Sequence, residues 1–492
     1  MSFRYLVHTF GCQMNVHDSD RMDGVLRAAG GAPVQTAEEA DLVVFNTCSV
    51  REKAEQKLRS EVGKLAPLKR ARPELVVAVA GCVAQQEGER LLARVGHVDL
   101  VLGPDNVAEL PALLAEQLSG APPTARTEFD VAAPRFLSAS PEPGRAPVVA
   151  FVTTMKGCDE RCSFCVVPYT RGPERYRPAR EVVDEVRRFV DAGSREVLLL
   201  GQTVDSFRDP ELPPPDGDDP DESQFPHLLR LVAREVPLHD GGRPHAPGLA
   251  RLRYTSPHPR HATASLARAH AELDVLARHV HLPVQSGSDR VLRRMIRRYT
   301  RAEYVARADR LRRARPGLTL STDVIVGFPG ETEEDFAATL SLVREVGFTS
   351  LFGFAYSPRP RTPALRLGDD VPEETKRERL ARLFEVAAEV GGAHLAALVG
   401  TRQRVLVEGR SKTGATVQGR TERAEIVHVE ARDATEGASL VGEIVEVEVT
   451  RANGHSLVGV LAAREAGRVV DVEGGGAEAR RAERVALPVV TA

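Results

Sequence analysis

The first part of the chain alternates short apolar runs with polar, helix-forming segments. The runs YLVHTF, DLVVFNT and LVVAVAG are rich in β-branched residues, and stretches such as REKAEQKLRSEVGKL separate them. Continuous apolar strands between helices are typical of a parallel α/β sheet whose strands are buried on both faces. The pattern predicts an open parallel α/β sheet domain over residues 1–120, followed by a linker rich in proline and alanine over 121–147.

A second series of apolar runs follows, with helical segments between them. The candidate strands are VVAFVTT, EVLLLGQ, RLRYTS, HVHLPVQSG, LTLSTDVIVGFPG and TSLFGFAYSP. Repeated strand–helix units predict a partial (β/α) barrel over residues 148–385, with functional groups at the carboxyl ends of its strands. The acidic, proline-rich stretch over 209–225 has no period, and we interpret it as a solvated surface insertion.

The pattern changes again toward the C-terminus. RVLVEG, GATVQGRT, EIVHVE, VGEIVEVEVTRA and HSLVGVLA are short alternating strands with glycines between them. Such spacing predicts a small antiparallel β-barrel, which we place over residues 386–462. Residues 463–492 have no persistent period and are predicted to be a loosely ordered tail.

Length and charge narrow the class of protein. A chain of 492 residues exceeds the size at which one hydrophobic core stops growing, so several domains are expected. The formal net charge of -3 gives no global signature of a nucleic-acid binder, so any such surface must be a local patch. No window is apolar enough to span a bilayer, and the N-terminus does not resemble a signal peptide. We therefore expect a cytoplasmic location and no membrane partner.

All six cysteines lie in the first third of the chain. A disulfide framework is typical of small secreted chains, which this sequence does not resemble. Three cysteines each follow the end of a predicted strand, where a parallel sheet gathers its ligands, and three lie in one CxxxCxxC loop. Thiolates in such groups predict two metal sites. We call these groups the strand-end trio (Cys12, Cys48 and Cys82) and the loop trio (Cys158, Cys162 and Cys165).

Each trio is one ligand short of a closed tetrahedral zinc site. Three thiolates suit three corners of a cubane iron–sulfur cluster, whose fourth iron is then open to a substrate. S-adenosylmethionine can chelate such an iron, and an electron from the reduced cluster then cleaves its sulfonium C–S bond to give a 5′-deoxyadenosyl radical. A zinc site completed by a distant histidine stays as the alternative.

Motifs along nearly the whole chain, to residue 462, resemble one family. GCDERCSFC resembles the radical SAM signature, and GCQMN, NTCSVREKAEQK, GCVAQQEG, CSFCVVPYTRG, HLPVQSGS, RRMIRRYT, DVIVGFPGET and FAYSPRPRTPA resemble motifs of the radical SAM methylthiotransferases in their order. QMN after Cys12, with NTCSVREKAEQK and VVPYTRG, is most similar to the branch that acts on isopentenyladenosine in tRNA. Other branches usually carry GCPKN or GCKVN at the first position.

The resemblance implies two 4Fe-4S clusters. The loop trio would hold the radical-generating cluster, and the strand-end trio an auxiliary cluster whose open iron binds the sulfur to be inserted. One S-adenosylmethionine would methylate that sulfur, and another would supply the radical that abstracts hydrogen from C2 of the adenine. The expected activity is methylthiolation of C2 of N6-isopentenyladenosine at tRNA position 37.

Three alternatives remain open at this point. The same chemistry could act on threonylcarbamoyladenosine in tRNA or on an aspartate of a ribosomal protein. From another class, the chain could be a non-catalytic iron–sulfur sensor that binds RNA. The expected partners are a tRNA anticodon stem-loop carrying isopentenyladenosine, an electron donor such as flavodoxin or ferredoxin, and a sulfur donor. The chain is expected to be a monomer.

Five residues outside the trios are predicted to line the pocket for S-adenosylmethionine or substrate. Several lie at the ends of predicted strands, and a purely structural role in a turn or strand terminus is the alternative for each. They are Gln202, Gln285, Ser286, Arg171 and Gly327.

Two regions are candidates for RNA contact. The arginine-rich stretch 290–315 is either a solvated face or a phosphate-contacting surface, and Tyr299 and Tyr304 within it either stack on unpaired bases or pack against the barrel. The C-terminal barrel resembles a TRAM domain, an RNA-binding module of this family. Its candidate phosphate contacts are Arg402, Arg404, Arg420 and Arg423.

Overall fold

The computed structural model describes residues 2–49, 52–132, 134–139, 141, 144, 146–239, 247–411 and 416–462. The predicted tail over 463–492 lies outside these residues. No helix in the described ranges is long and apolar enough to cross a membrane.

The N-terminal part is a parallel sheet covered by helices on both faces. Its strands are β1 (Phe3–Phe10), β2 (Gly31–Pro33), β3 (Leu42–Thr47), β4 (Val76–Gly81), β5 (Leu100–Leu102) and β6 (Thr124–Arg126). Its helices are α1 (Gln13–Ala28), α2 (Glu52–Lys64), α3 (Ala66–Ala71), α4 (Cys82–Glu87), α5 (Glu89–Arg94) and α6 (Leu110–Leu118).

The six strands pair in the order β2-β1-β3-β4-β5-β6, and all pairs are parallel. Alternate residues of β3 pack into separate cores, Val44 on one face and Val43 and Phe45 on the other. Burial on both faces explains why these strands are apolar without interruption. The predicted open parallel sheet is confirmed, whereas β2, β5 and β6 are too short to leave a pattern in the sequence.

The central part contains the predicted strand–helix repeats. Its strands are β7 (Val149–Thr153), β8 (Met155–Lys156), β9 (Arg175–Tyr176), β10 (Glu196–Leu200), β11 (Arg251–Tyr254), β12 (His279–His281), β13 (Thr319–Val326) and β14 (Ser350–Ala355). Its helices are α7 (Val167–Thr170), α8 (Ala179–Asp191), α9 (Phe225–Glu235), α10 (Ala264–Glu272), α11 (Asp289–Arg294), α12 (Arg301–Ala314), α13 (Glu333–Val346) and α14 (Glu373–Ala396).

These strands form two parallel sheets, β7-β10-β11 and β12-β13-β14. A parallel bridge between Leu252 and Leu276 joins the sheets edge to edge, so that the six strands run in chain order around a partial barrel. The short antiparallel pair β8 and β9 closes the base of the loop that carries the loop trio. The predicted partial barrel is therefore confirmed.

The acidic stretch over 209–225 is anchored at both ends. Asp209 is buried, and its Oδ2 accepts a hydrogen bond from Ala179 N at 2.5 Å, at the start of α8. Glu222 is also buried and accepts a hydrogen bond from Thr263 Oγ1 at 2.7 Å. The interpretation as a solvated insertion therefore holds only for the residues between these anchors, most of which are exposed.

The C-terminal part is a closed five-stranded barrel, as predicted. Four of its five strand pairs are antiparallel, and β17 and β19 pair in parallel. Its elements are β15 (Arg402–Arg410), β16 (Thr416–Thr421), β17 (Ile426–Glu430), α15 (Ala434–Ser439), β18 (Ile444–Ala452) and β19 (Leu457–Leu461), with strand order β15-β16-β17-β19-β18.

The turn between β16 and β17 docks on the N-terminal ends of the central strands. Thr319 Oγ1, at the start of β13, donates a hydrogen bond to the carbonyl of Arg423 at 3.1 Å. Arg278 N, just before β12, donates to the carbonyl of Glu422 at 3.0 Å. The loop trio follows the opposite, carboxyl end of β7. The C-terminal barrel and the loop trio therefore lie at opposite ends of the central strands.

Buried charges join the N-terminal and central parts. Glu185 on α8 is fully buried, and its carboxylate binds Arg21 of α1 at 2.5 Å and also Arg177. Lys156 contacts Asp105 of the N-terminal part at 3.2 Å. Two cations around one buried carboxylate offset much of its desolvation cost. Separating the two parts would break the Arg21–Glu185 and Lys156–Asp105 ion pairs, because each pair joins one part to the other.

Candidate iron–sulfur and cofactor site

The strand-end trio meets at the carboxyl edge of the N-terminal sheet. Cys12 follows β1, Cys48 follows β3, and Cys82 is the first residue of α4, directly after β4. The chain segments lie close together: a Cβ added at Gly11 would come within 2.4 Å of Cys48 Cβ. Cys48 N also donates a hydrogen bond to the carbonyl of Phe10 at 3.0 Å. The sheet thus brings together three thiols from distant positions in the sequence.

The electrostatic surroundings favour a thiolate at Cys12. A hydrogen bond with the Cys48 thiol lowers the pKa of Cys12 to about 6, with burial acting against it and the charge of Arg171 assisting. Burial raises the pKa of Cys82, and the same arginine opposes that rise. One buried cation therefore lies within electrostatic reach of two thiols of this trio.

Two hydroxyl groups beside Cys48 are buried without partners. Thr47 Oγ1 and Ser49 Oγ have no hydrogen-bond partner in the part of the chain that the structure describes. Buried hydroxyl groups are usually paired, so orphaned groups indicate a missing acceptor. The sulfides of an iron–sulfur cluster would accept from them, which fits the thiols at this edge of the sheet.

The loop trio is held by a tight backbone turn. Gly157 has φ +80°, and a Cβ at this position would lie 1.9 Å from the carbonyl oxygen of Pro173, so only glycine fits. Its N–H donates to Gln202 Oε1 at 2.5 Å. Cys158 Sγ lies 3.0 Å from Thr203 Oγ1, and Cys165 N donates to the carbonyl of Cys162 at 3.0 Å.

A second segment contacts the outside of this loop. Ser163 N donates to the carbonyl of Met295 at 2.9 Å, and Ser163 Oγ donates to the carbonyl of Arg294 at 2.8 Å. Arg297 Nη1 donates to Cys162 Sγ at 3.3 Å, and the Arg297 side chain is buried. Arg297 was not predicted as a site residue, because it lies in a run of arginines that resembles a solvated face.

Two thiols of the loop trio, Cys158 and Cys165, differ from Cys12 in acidity. Burial raises the pKa of Cys158 to about 12, although the Thr203 hydroxyl lowers it. Burial also raises the pKa of Cys165, as do the charges of Cys162 and Cys158. These thiols therefore stay protonated at neutral pH until a metal displaces the proton.

The donor set of both trios fits an iron–sulfur cluster. All six cysteines are free thiols. In the described ranges, no three His, Cys, Asp or Glu side chains are arranged around a single metal ion. Three thiolates in each trio are a donor set that an iron–sulfur cluster takes, so the residues present fit such a group.

Gln202 and Gln285 lie at carboxyl ends of the central strands. The amide of Gln202 is fixed by Gly157, and its Nε2 is buried without a partner among the described residues, so it can donate to a ligand. Gln285 has φ +72°, a left-handed backbone that is rare for a residue with a side chain. Strained conformations of this kind cluster at ligand sites. Both positions are compatible with the predicted pocket.

Ser286 and Gly327 are engaged within the protein. The Ser286 hydroxyl lies 3.4 Å from Thr339 Oγ1 and accepts from Ser288 N at 3.2 Å. Gly327 has φ +66°, and its N–H donates to Glu331 Oε2 at 2.6 Å. These contacts explain both residues as parts of turns, and their predicted role toward a cofactor stays a prediction.

Arg171 is paired within the protein, and its predicted role toward the cofactor stays a prediction. Its Nη2 donates to Asp18 Oδ2 at 2.6 Å, and the side chain is buried between the central and N-terminal parts. The charge of the guanidinium also opposes the rise that burial causes in the pKa of Cys82. It lies close enough to Cys12 to stabilise the thiolate of that residue. Arg171 thus extends from the loop-trio segment to the strand-end trio and links the two groups of thiols.

The candidate RNA contacts are largely paired within the chain. Tyr299 and Tyr304 are buried, and their hydroxyl groups donate to the carbonyls of Val284 and Leu282, at 2.9 Å and 2.8 Å. Packing against the barrel is the correct alternative for both tyrosines. In the C-terminal barrel, three of the four candidate arginines face carboxylates: Arg420 with Glu408 at 3.1 Å, Arg423 with Glu425 at 3.1 Å, and Arg404 with Glu422 at 3.6 Å.

The interior face of β13 and β14 is a feature that sequence reasoning missed. Phe352 and Phe354 pair with Asp323 and Ile325 on one face, while Gly353 packs against α14 on the other. Phe354 is 39% exposed although it faces the inside of the barrel. An apolar, partly exposed wall inside a partial barrel suits a flat, apolar ligand. The two phenylalanines on either side of Gly353 were the available signal.

Known families match three consecutive parts of the chain. The uncharacterized protein family UPF0004 matches residues 4–103, the Radical SAM superfamily matches residues 152–343, and the TRAM domain matches residues 396–462. A tRNA-2-methylthio-N(6)-dimethylallyladenosine synthase of Sorangium cellulosum (strain So ce56) is 63% identical over 509 residues, which cover 99% of each chain.

The chain belongs to the tRNA-2-methylthio-N(6)-dimethylallyladenosine synthase family. Another member of this synthase family, from Bordetella petrii, is 45% identical over 473 residues, which cover 95% of this chain and 92% of that protein. The predicted membership of the radical SAM methylthiotransferases is confirmed. Membership of the Radical SAM superfamily implies a 4Fe-4S cluster and S-adenosylmethionine.

A solved structure shares the fold at low sequence identity. The radical S-adenosylmethionine methyltransferase TsrM from Kitasatospora setae, with cobalamin and a [4Fe-4S] cluster bound, has a TM-score of 0.52 and 17% identity. The match covers 74% of this chain and 77% of that chain. At this identity the similarity concerns the fold alone.

Proposed function

We propose that this protein is a tRNA methylthiotransferase that acts on C2 of N6-isopentenyladenosine at position 37. The loop trio would hold the radical-generating 4Fe-4S cluster, and the strand-end trio a second, auxiliary 4Fe-4S cluster. The observation that carries the proposal is the placement of both thiol trios at carboxyl ends of strands, linked by Arg171. With these clusters bound, S-adenosylmethionine supplies a methyl group and a 5′-deoxyadenosyl radical.

The chain's own residues would position these reactants. Gln202 Nε2 is free to donate to the carboxylate of S-adenosylmethionine, while its Oε1 holds the loop through Gly157. Arg297 would stabilise negative charge on the cysteine sulfur that it contacts. Arg171 would do the same for the strand-end trio, where an anionic sulfur species is to be held.

The target base would lie against the interior face of β13 and β14. Phe354 offers an aromatic face for stacking, which contributes about 1–3 kcal/mol per base in single-stranded recognition. The anticodon loop presents unpaired bases, which proteins read by such stacking. A radical is a suitable reagent for removing the hydrogen at C2 of the adenine, because C2–H is not activated toward a nucleophile.

The names of the relatives support isopentenyladenosine over the other substrates. The relatives from Sorangium cellulosum and Bordetella petrii are both named for dimethylallyladenosine, so threonylcarbamoyladenosine and ribosomal-protein aspartate are not favoured. The non-catalytic sensor is not favoured for the same reason. The electron donor, the sulfur donor and the cytoplasmic location stay predictions.

The direct test is a comparison of substrates with anaerobically reconstituted protein. We expect tRNA carrying isopentenyladenosine to gain the mass of one methylthio group at C2, with formation of 5′-deoxyadenosine. Threonylcarbamoylated tRNA and a ribosomal-protein substrate are the matched controls. Gain of mass only on threonylcarbamoylated tRNA would refute the substrate, and absence of 5′-deoxyadenosine from the fully loaded, reduced protein would favour the sensor.

A further inference from the structure

An exposed basic patch covers the outer side of the loop trio. We define the cluster-rim patch as Arg161, Arg293, Ile296 and Arg298. The Arg161 side chain is 58% exposed, Ile296 is 40% exposed, and Arg293 and Arg298 are exposed. Among the residues that the structure describes, neither Arg293 nor Arg298 forms an ion pair within the protein. Arg161 is paired with Asp159 at 4.0 Å, so the positive charge of the patch comes mainly from Arg293 and Arg298, on either side of the apolar Ile296.

The patch lies directly on the cysteine loop. The residues on either side of Ile296 are hydrogen-bonded to this loop: the carbonyl of Met295 accepts from Ser163 N at 2.9 Å, and the Arg297 side chain donates through Nη1 to Cys162 Sγ at 3.3 Å. Arg298 lies within electrostatic reach of Glu160, which is part of the same loop. Few covalent and hydrogen bonds thus separate this surface from a cysteine sulfur.

Ile296 has a backbone that its side chain disfavours. Its φ is +58°, in the left-handed region, where a β-branched residue is a genuine outlier. Burial does not offset the backbone strain, because the Ile296 side chain is 40% exposed. Strained residues persist where they serve a function. The structure therefore holds an apolar side chain at the surface in a conformation that its own packing does not explain.

We propose that the cluster-rim patch is the docking surface for an acidic, low-potential protein that donates one electron to the cluster of the loop trio. An oxidised cluster takes up one electron, and the donor is oxidised by one electron, so the step balances without another reactant. Charge complementarity steers such encounters, and an apolar centre with a charged rim is the usual anatomy of an interface. This inference rests on radical SAM chemistry and not on the choice of tRNA base.

The position of the patch favours an electron donor over RNA. It lies on the outside of the cysteine loop, whereas the proposed base-binding wall of Phe352 and Phe354 faces the inside of the barrel. The C-terminal barrel docks at the far end of the same strands. The hydrogen bonds to Cys162 and Ser163 would not strengthen the binding of RNA to the patch. They would give electron transfer a short path from the patch to the cysteine sulfur.

The test measures reduction of the reconstituted full chain by reduced flavodoxin in stopped-flow experiments at several salt concentrations. Arg298→Glu should lower the second-order rate constant about tenfold at low salt and flatten its salt dependence. Arg313→Glu is the matched control, since this exposed arginine lies at the C-terminal end of α12, and it should change the rate less than about twofold. Reduction by dithionite should be unchanged in both variants.

The variant Ile296→Gly distinguishes weaker docking of the electron donor from a general loss of protein stability. Glycine relieves the left-handed strain, so the variant should be at least as stable as the parent, while the loss of the apolar centre slows reduction by flavodoxin. Unchanged flavodoxin rates in Arg298→Glu and Ile296→Gly would overturn the proposal. Weaker tRNA binding with unchanged reduction would make the patch an RNA surface instead. Equal slowing with dithionite would show an effect on the cluster itself and would also overturn it.

The result is independent of the substrate assignment. A parent protein that flavodoxin reduces through this patch, but that leaves isopentenyladenosine tRNA unmodified, would refute the proposed substrate and support the docking surface.

Discussion

The two thiol trios reach similar donor sets by opposite routes. The loop trio occupies one short loop, closed at its base by β8 and β9, and its geometry depends on local turns such as that at Gly157. The strand-end trio is collected from three strands, so its geometry depends on the register of the whole sheet. A local loop can form a site early, whereas a site at a sheet edge exists only after the sheet has formed.

The charges around the trios differ in the same way. The loop trio receives its cation, Arg297, from a neighbouring turn of the same part of the molecule. The strand-end trio receives Arg171 from the other part of the molecule, and its thiolate at Cys12 is favoured before any metal binds. The comparison indicates that the strand-end trio depends on contact between the two parts and that the loop trio does not.

Removal of one cysteine from each trio should give the largest difference. Cys158→Ala should abolish formation of 5′-deoxyadenosine and of product, whereas Cys12→Ala should abolish the product and leave some cleavage of S-adenosylmethionine. Each variant should lose about half of the iron and acid-labile sulfide, because three thiolates are the minimum for each cluster. Equal loss of cleavage in both variants would contradict separate roles.

Replacement of Arg171, the buried cation beside the strand-end trio, should destabilise the protein by leaving a buried carboxylate without its partner. Arg171→Gln leaves Asp18 buried without its cation, which costs about 3–5 kcal/mol, and should lower the melting temperature and the occupancy of the auxiliary cluster. The double variant Arg171→Gln with Asp18→Asn should recover much of the loss. A melting temperature no lower than that of the surface variant Arg313→Gln would contradict this expectation.

A buried carboxyl in the central part should make stability depend on pH. Burial raises the pKa of Asp205 from 3.8 to about 7, so between these values the folded protein holds a proton that the unfolded chain has released. Stability should therefore fall as the pH rises through this window and level off above it. Asp205→Asn should remove roughly 2–4 kcal/mol of this fall, measured as melting temperature from pH 5 to pH 8. An unchanged slope would contradict the expectation.

Replacement of Arg297 should have the smallest effect, confined to one cluster. A cation that donates to a cysteine sulfur favours the reduced, more negative cluster, so Arg297→Gln should lower the midpoint potential by about 60 mV, roughly tenfold in a one-electron equilibrium. Redox titration followed by electron paramagnetic resonance should show the shift in the loop-trio signal alone. Arg297→Lys retains the charge and should restore part of the potential. A shift of both signals would contradict the assignment of this arginine to one trio.

The sequence predicts the strands and the thiols well because both follow from local patterns. β3 and β4 are uninterrupted apolar runs that end at Cys48 and Cys82, and the edge of a parallel sheet then brings those ends together. The pairing of Arg171 with Asp18 has no such signal, because 153 positions separate the two residues and the contact exists only between folded parts.

The arginine-rich stretch 290–315 shows the same limit of prediction from sequence. Arg297 is buried against Cys162 and its neighbour Arg298 is exposed, because the left-handed backbone at Ile296 turns one side chain inward. Composition assigns both residues to a solvated face. In the C-terminal barrel, Glu408 lies on the strand paired with that of Arg420, and Glu425 lies two residues from Arg423 in the same turn, but the sequence does not indicate that they neutralise these arginines.

The docking of the C-terminal barrel at Thr319 sets a length scale for the substrate. β13 extends eight residues from that contact to its carboxyl end, which is roughly 26 Å of strand. A free nucleoside is far too small to bridge that distance, whereas a folded stem-loop is long enough to touch the barrel and still place one base inside. The C-terminal barrel and the interior face of β13 and β14 can therefore contact the same substrate only if it spans about that distance.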